Sequence, residues 1–480
     1  MNRKMVFSTV GKMVGAEALM LLLPLAVSAI YKESCSWAIL ITIGIAAVVG
    51  LALILLCRPK STLIYAREGF CIVAAAWILM SAIGALPFVI SGEIPNYIDA
   101  FFETVSGFTT TGASILPDVE AMSKGLLFWR SFTHWVGGMG VLVFVMAILP
   151  GMADRSIHIM RAEMPGPVVG KIVPRAKDTA SILYKIYIVM TVVMVGLLLC
   201  GGMNLFESLV HTFGTAGTGG FGVRADSIAG YSPYLQWVIT VFMFLFGVNF
   251  NLYYLLLIRR FRAIFQSTEL KVYLAIVLVS VGLITANIFS LYSSLSEALR
   301  HSAFQVSSIM TTTGFATTNF DLWPGFSKAI LLLLMFIGAC AGSTGGGIKV
   351  TRVVLLWKTV SRQVRQLVHP RSVGVIKAEG KPVDESTAGS IGTYLAVYIF
   401  CFVAILLLLC LDDMSFVTHF SATAACFNNI GPGFDMVGPA LNYAGYSGLS
   451  KLLLSFAMLL GRLEIYPLLI ALFPGTWKKK

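Results

Sequence analysis

Apolar windows near 20 residues long recur along the chain at about 14–31, 36–57, 70–91, 125–149, 182–203, 233–258, 271–291, 327–340, 392–411 and 449–473. A helix rising about 1.5 Å per residue needs that length to cross the roughly 30 Å hydrocarbon core of a bilayer. The pattern predicts ten membrane spans, with the window at 327–340 short. The first window follows Arg3 and Lys4 and ends near Ala26-Val-Ser-Ala29, which imitates a secretory leader. It approaches the length of a span and a second span follows at once, so a retained helix is the expected reading.

Four further semi-apolar stretches, at about 97–108, 204–216, 297–310 and 415–427, are too brief to cross. Each runs into a tract rich in Gly, Thr or Asn. The tracts are Thr109-Thr-Thr-Gly112-Ala-Ser114, Ala216-Gly-Thr-Gly-Gly220-Phe-Gly222, Thr311-Thr-Thr-Gly314-Phe-Ala316 and Asn428-Asn-Ile-Gly431-Pro-Gly433. Aligned on Gly112, Gly220, Gly314 and Gly431, they recur at intervals of 108, 94 and 117 residues. Such self-similarity marks a repeated structural unit: here a span, a re-entrant half-helix, a glycine tract and a second span. The expected fold is an all-α polytopic membrane protein. It has four channel-like helix–pore loop–helix repeats around one pore, plus two N-terminal accessory helices. The accessory helices take residues 1–66. The repeats take 67–150, 151–262, 263–380 (with an intramembrane gate loop) and 381–480. The last tract is the least regular, with Asn in place of Thr and Pro432 after its glycine.

Composition sharpens this picture. The chain is 57% hydrophobic and 12% charged, against roughly 25% charged in soluble domains. That excludes a soluble enzyme, a disordered regulator and a secreted disulfide scaffold. If the termini share one side, the segments on that side hold 26 of the 35 Lys and Arg residues and 8 of the 23 acids. The positive-inside rule then places both termini in the cytoplasm and accounts for the net charge of +12 without nucleic acid. The eight cysteines form no C-x-x-C pair and the six histidines are scattered. No metal or disulfide chemistry is signalled, and no cofactor is expected.

Backbone that is neither helix nor barrel persists at membrane depth only when protein buries it or water adjoins it. Four such tracts pointing the same way are best housed around one axis, where carbonyl oxygens can replace the hydration shell of a cation. The candidate filter residues are Thr110, Thr111 and Gly112; Thr218, Gly219 and Gly220; Thr312, Thr313 and Gly314; and Asn429, Ile430 and Gly431. The half-helix C-termini, partially negative, are expected to face the cavity beneath. Asp118, Asp226, Asp321 and Asp435 follow the aligned glycines by 6, 6, 7 and 4 residues. As a set they are expected to form an external mouth that concentrates cations. Taken singly, each also fits a cap or a solvated loop position.

A second glycine cluster, Ala339-Cys-Ala-Gly342-Ser-Thr-Gly345-Gly-Gly347-Ile-Lys349, interrupts the second span of the third repeat. Consecutive glycines, at about 1 kcal/mol each relative to alanine, cannot hold a helix. The segment containing Gly342, Gly345, Gly346, Gly347 and Lys349 is expected beneath the filter as a movable gate. A helix break lining a cavity is the alternative. Arg462, inside the last span, is costly in lipid and is expected to bond carbonyls of that loop or to plug the pore. Glu464, two residues on, points to another face and is a poor partner for it. Gly217-x-Gly219-x-x-Gly222 imitates a dinucleotide fingerprint but lacks the strand and helix that the motif needs.

These tracts, together with Trp129-Arg-Ser-Phe-Thr-His-Trp-Val-Gly-Gly-Met-Gly140, the glycine break through Lys349 and Gly461-Arg462, resemble the Trk/Ktr/HKT superfamily of cation transporters over essentially the whole chain. The resemblance implies K+ as the transported ion, held at the filter residues, and a homodimer in the lipid bilayer. It also implies a cytosolic nucleotide-binding regulatory ring (TrkA-like) as partner. In that family, glycine at the filter position of all four loops goes with potassium selectivity. The family's gate loop corresponds to about 339–349 and its pore arginine to Arg462. Gly219 departs from the Thr-Thr-Gly pattern, so strict four-fold equivalence of the loops is not expected.

The expected function is potassium uptake across the bacterial cytoplasmic (inner) membrane through a selective, gated pore, and not catalysis. A less selective or Na+/H+-coupled symporter is the first alternative. It requires an intramembrane acid, and the spans hold only Glu17 and Glu464. The potassium-translocating subunit of an ATP-driven pump is the second. The glycine break and the two leading helices count against it.

Overall fold

The computed structural model describes residues 1–59, 65–140, 176–371, 374–379, 381–383 and 385–478. An apolar chain in lipid must satisfy its own backbone polar groups, and a helix does this within one segment. Among the described residues the protein is accordingly helical, apart from a short antiparallel pair, Lys377–Ala378 with Lys381–Pro382. Among the described residues, six stretches are long and apolar enough to cross a membrane: Arg3–Tyr31, Ser36–Leu56, Ala66–Ser91, Ser181–Cys200, Thr268–Leu291 and Gly389–Leu409.

The first helix is longer than the apolar window that announced it. Asn2 caps it by accepting from the Met5 amide at 3.2 Å, and Met5, Val6, Val10 and Met13 are buried. The helix therefore begins at Arg3, before the apolar window that opens at about residue 14. It crosses Ser36–Leu56 at backbone distance, because a Cβ on Gly11 would lie 2.8 Å from the Gly50 carbonyl oxygen, and one on Gly50 would lie 2.9 Å from that of Gly11. Small residues allow this approach where lipid gives helices no hydrophobic reason to associate.

The second spans differ most from expectation, since uninterrupted helices were expected at 233–258 and 449–473. The first of these is Pro233–Phe246 followed, after a bend of 91°, by Phe250–Leu257. Asn249 caps the second piece through the Asn251 amide at 3.0 Å. In the last, Gly448–Arg462 is separated from Tyr466–Leu472 by a turn in which Glu464 and Ile465 take φ of +54° and +69°. The third is Gly325–Ile337, then the loop at 338–349, then Val350–Val368. The window at 125–149 begins as Lys124–Gly138, and its part beyond residue 140 lies outside the described residues. At Gly137 and Gly461 a Cβ would overlap the carbonyl oxygens of Phe108 and Phe427. At these two glycines the helices pass the ends of the re-entrant half-helices.

Those half-helices are Tyr97–Phe108, Leu205–Ala216, Leu295–Met310 and Phe416–Phe427, numbered 1 to 4 below. Asn96, Asn204, Ser294 and Ser415 cap their N-termini by accepting from the amides of Ile98, Glu207, Glu297 and Thr418. A polar cap followed by an amphipathic run is what starts each one.

Candidate functional site

All four half-helices end in the same way. Thr110, Thr218, Thr312 and Asn429 take left-handed φ of +55°, +56°, +59° and +57°. The next amides, of Thr111, Gly219, Thr313 and Ile430, donate back to Ser106, Gly214, Ser308 and Ala425 at 2.8–2.9 Å. This six-residue closure satisfies carbonyls that a helix end otherwise leaves open. A threonine or asparagine held at positive φ is strained, and here the strain recurs four times. One residue further, Gly112, Gly220, Gly314 and Gly431 have φ of +81°, +79°, +83° and +98°. The departure at Gly219 and the irregular fourth tract therefore leave the backbone unchanged. The four loops are equivalent in fold although their residues differ.

The four glycines also define a ring. A Cβ on Gly112 would overlap the carbonyl oxygen of Gly219; one on Gly220, that of Thr313; one on Gly314, that of Ile430. A Cβ on Gly431 would lie 2.7 Å from the carbonyl oxygen of Thr111, which closes the circle. Each loop thus abuts the next in the order 1, 2, 3, 4, 1. The same four glycines line one outer cavity of about 130 Å³.

Side chains behind the ring hold it in place. Glu103, in half-helix 1, is buried and accepts from Arg130 Nε at 2.5 Å, the Ser114 hydroxyl at 3.0 Å and the Ile115 amide at 2.9 Å. Arg130 also donates to the Gly222 carbonyl at 3.3 Å and stacks 3.5 Å over the Phe221 ring. The pair therefore ties loop 1 to loop 2. Asn429 donates from Nδ2 to Thr111 Oγ1 at 3.0 Å and to the Met458 carbonyl at 2.9 Å, which ties loop 4 to loop 1. The Tyr443 hydroxyl donates to the Gly431 carbonyl at 2.7 Å.

The four aspartates expected at the mouth do not line the cavity; the charged residues lining it are Arg130 and Arg224. Asp118 accepts from the Glu120 and Ala121 amides in a turn. The Asp226 carbonyl closes another turn with Ala229. Asp321 pairs with Lys328 at 3.5 Å and accepts from the Asp435 amide at 3.1 Å. Asp435 accepts from the Ser415 and Thr418 hydroxyls, and these donors hold its carboxyl below the usual range. Short polar side chains after a glycine tract here close loops, which is the role left open for each singly.

The glycine loop at 338–349 lies against the inner side of the ring. The Gly346 amide donates to Thr312 Oγ1 at 2.6 Å, and Cβ atoms on Gly345 and Gly346 would meet the carbonyl oxygens of Thr311 (2.9 Å) and Asn428. Gly342 and Gly347 take φ of +69° and +77°, and Lys349 Nζ donates to the Gly345 carbonyl. Arg462 reaches this loop at the Thr344 carbonyl (2.8 Å) and, on its other side, the carbonyls of Gly137 and Gly138. Glu464 pairs with Arg352, at 2.6 Å, and not with Arg462.

Three functional candidates escaped the reading of the sequence. Glu103 and Arg130 are ionisable residues in apolar stretches, which is itself the signal that finds them. Glu269, in the first turn of Thr268–Ile288, is buried and accepts from the Ala341 amide at 2.6 Å and from the Thr351 hydroxyl, at the two ends of the glycine loop. Acids at membrane depth are therefore not confined to Glu17 and Glu464.

Comparison with known proteins agrees with this architecture. The family described as "TrkH: Cation transport protein" matches residues 36–475. The Trk system potassium uptake protein TrkH of Salmonella typhimurium is 36% identical over 467 residues, covering 96% of each chain. That of Vibrio parahaemolyticus is 34% identical over 487 residues, covering 100% of each. The crystal structure of the potassium transporter TrkH from Vibrio parahaemolyticus superposes with a TM-score of 0.89 at 32% identity over 100% of both chains. These relatives are named as transport proteins and not as enzymes. The chain is thus a multi-pass membrane protein and belongs to the TrkH cation transport protein family.

Proposed function

We propose that this chain takes up K+ across the bacterial cytoplasmic membrane through a selective, gated pore, with both termini in the cytoplasm. The observation that carries the reading is the closed ring of four loops, each with positive φ at the first and third residues of its filter triplet. A strand alternating in this way turns successive carbonyls to one side. Four such strands around an axis can replace the water shell of a cation. Thr110 Oγ1 is buried with no hydrogen-bond partner among the described residues, which adds an oxygen able to serve as a ligand. The ends of four half-helices below the ring favour positive charge. The relatives named as potassium uptake proteins support K+ as the ion.

In this reading the loop at 339–349 closes the inner end of the path, held by the bonds from Gly346 and Arg462. Ions pass when it withdraws. The helix Val350–Val368 continues directly from the loop, so a cytosolic nucleotide-binding ring of the TrkA-like kind, acting on that helix, is the proposed regulator, and a homodimer the proposed assembly. The repeat boundaries given above are part of the same proposal. Glu103, the acid behind loop 1, is already paired with Arg130, so it is not free to load a proton. The test is growth at low external potassium of a host lacking its own uptake systems, with and without the ring protein. The proposal expects rescue that depends on the ring. Membrane-inserted protein that gives no rescue with the ring present contradicts it.

A further inference from the structure

We infer that His134 is a selectivity-determining residue, a positioning side chain that takes the place of the one missing from the second filter loop. The inference rests on the filter reading above. Loops 1, 3 and 4 carry Thr111, Thr313 and Ile430 before the ring glycine, whereas loop 2 carries Gly219. In loops 1 and 3 that threonine bonds within its own turn, Thr111 to Thr109 and Thr313 to Thr311, each at 2.8 Å between hydroxyls. Loop 2 has no such internal brace, yet its backbone takes the same conformation.

The imidazole of His134 fills the space. A Cβ on Gly219 would overlap Nδ1 and Cγ of that ring and lie 2.6 Å from its Cε1. The ring is fully buried and comes from Lys124–Gly138, an element of the preceding repeat. Its Nδ1 lies 2.7 Å from the Gly107 carbonyl in the last turn of half-helix 1; a carbonyl can only accept, so Nδ1 carries the proton. The ring packs 4.2 Å from that of Phe221, the residue after Gly220, and Gly217 sits against the His134 backbone carbonyl. Among the described residues Nε2 has no hydrogen-bond partner, and the ring serves loop 2 by its shape and by its bond to Gly107. The brace that loops 1 and 3 supply for themselves is delivered to loop 2 from next door. Gly219 is glycine because His134 is there.

The test compares His134→Ala, Gly219→Thr and the double variant, with Gly314→Ser as a control on the filter itself. Purified protein in planar bilayers gives the K+/Na+ permeability ratio from reversal potentials. Each single variant should lower the ratio by about tenfold, equivalent to about 1.4 kcal/mol of discrimination. The double variant, with a threonine in the vacated space, should recover most of it. A parental ratio in folded His134→Ala, or a double variant no better than Gly219→Thr, overturns the inference while Gly314→Ser still loses selectivity. If Gly314→Ser also keeps the parental ratio, the filter reading fails and takes this inference with it. Where a single variant yields no monodisperse protein, the yield is the readout. Restoration in the double variant supports the exchange, and equal failure overturns it.

Discussion

Arg462 donates from Nη1 to the Thr344 carbonyl at 2.8 Å. The same guanidinium donates to the carbonyls of Gly137 and Gly138 at 2.5 and 2.7 Å, so one side chain spans from the glycine loop to the end of Lys124–Gly138. Charge-assisted bonds of this kind are about twice as strong as neutral ones. Arg462→Ala should free the loop and raise basal flux severalfold in the absence of the regulatory ring. Single-channel open probability measures this, and an unaltered value would make the arginine purely structural.

The same loop can be dislodged from the other side. A Cβ on Gly346 would overlap the Asn428 carbonyl oxygen, backbone that cannot yield without disturbing half-helix 4. Gly346→Ala should push the loop away from the ring and increase rubidium uptake into cells. Deletion of Gly345–Gly347 should do so more strongly. A silent channel in both would count against a gating role.

The Glu103–Arg130 pair predicts a stability pattern. Both groups are buried, and removing one partner of a buried pair costs about 3–5 kcal/mol because the other charge is stranded. Arg130→Met should lower the thermal unfolding midpoint in detergent markedly, and Glu103→Gln combined with Arg130→Met should recover much of the loss. Equal midpoints for the single and double variants would refute the pairing as the cause.

Asp435 gives a pH dependence with a definite sign. Its folded pKa is held down by the Ser415 and Thr418 hydroxyls. Its contribution to stability is therefore present above the unfolded carboxylate value of about 3.9 and is lost as pH falls through the lower folded value. Asp435→Asn should flatten the acid limb of the stability profile and lower stability by a constant amount between pH 5 and 8, without adding any slope there. An acid limb as steep as the parent's would contradict the assignment.

Much of this architecture was legible in the chain, and the exceptions have physical causes. The half-helices were readable because a polar cap, a short amphipathic run and a glycine are local signals. The break at 338–349 was readable because Gly345–Gly347 cannot sustain a helix. The turn at Leu463–Ile465 was not, because a β-branched residue at positive φ is held by its surroundings and carries no local mark. The bend after Phe246 was only weakly marked, by Gly247, Asn249 and Asn251 within an apolar run. The equivalence of loop 2 was hidden because its brace, His134, stands 85 positions before Gly219 in the chain. The loop-closing contacts of the aspartates were hidden because spacing from a glycine records where a loop turns back and not which way a side chain faces.

Cation selection is assigned to one ring formed by Gly112, Gly220, Gly314 and Gly431. Gly314→Ser tests it most directly, since the residue sits at φ +83° and a Cβ there would overlap the Ile430 carbonyl oxygen of the neighbouring loop. The measurement is the K+/Na+ permeability ratio of purified, folded protein in planar bilayers. The ring account predicts a large fall in the ratio while the pore still conducts. An unchanged ratio in folded Gly314→Ser protein would contradict it.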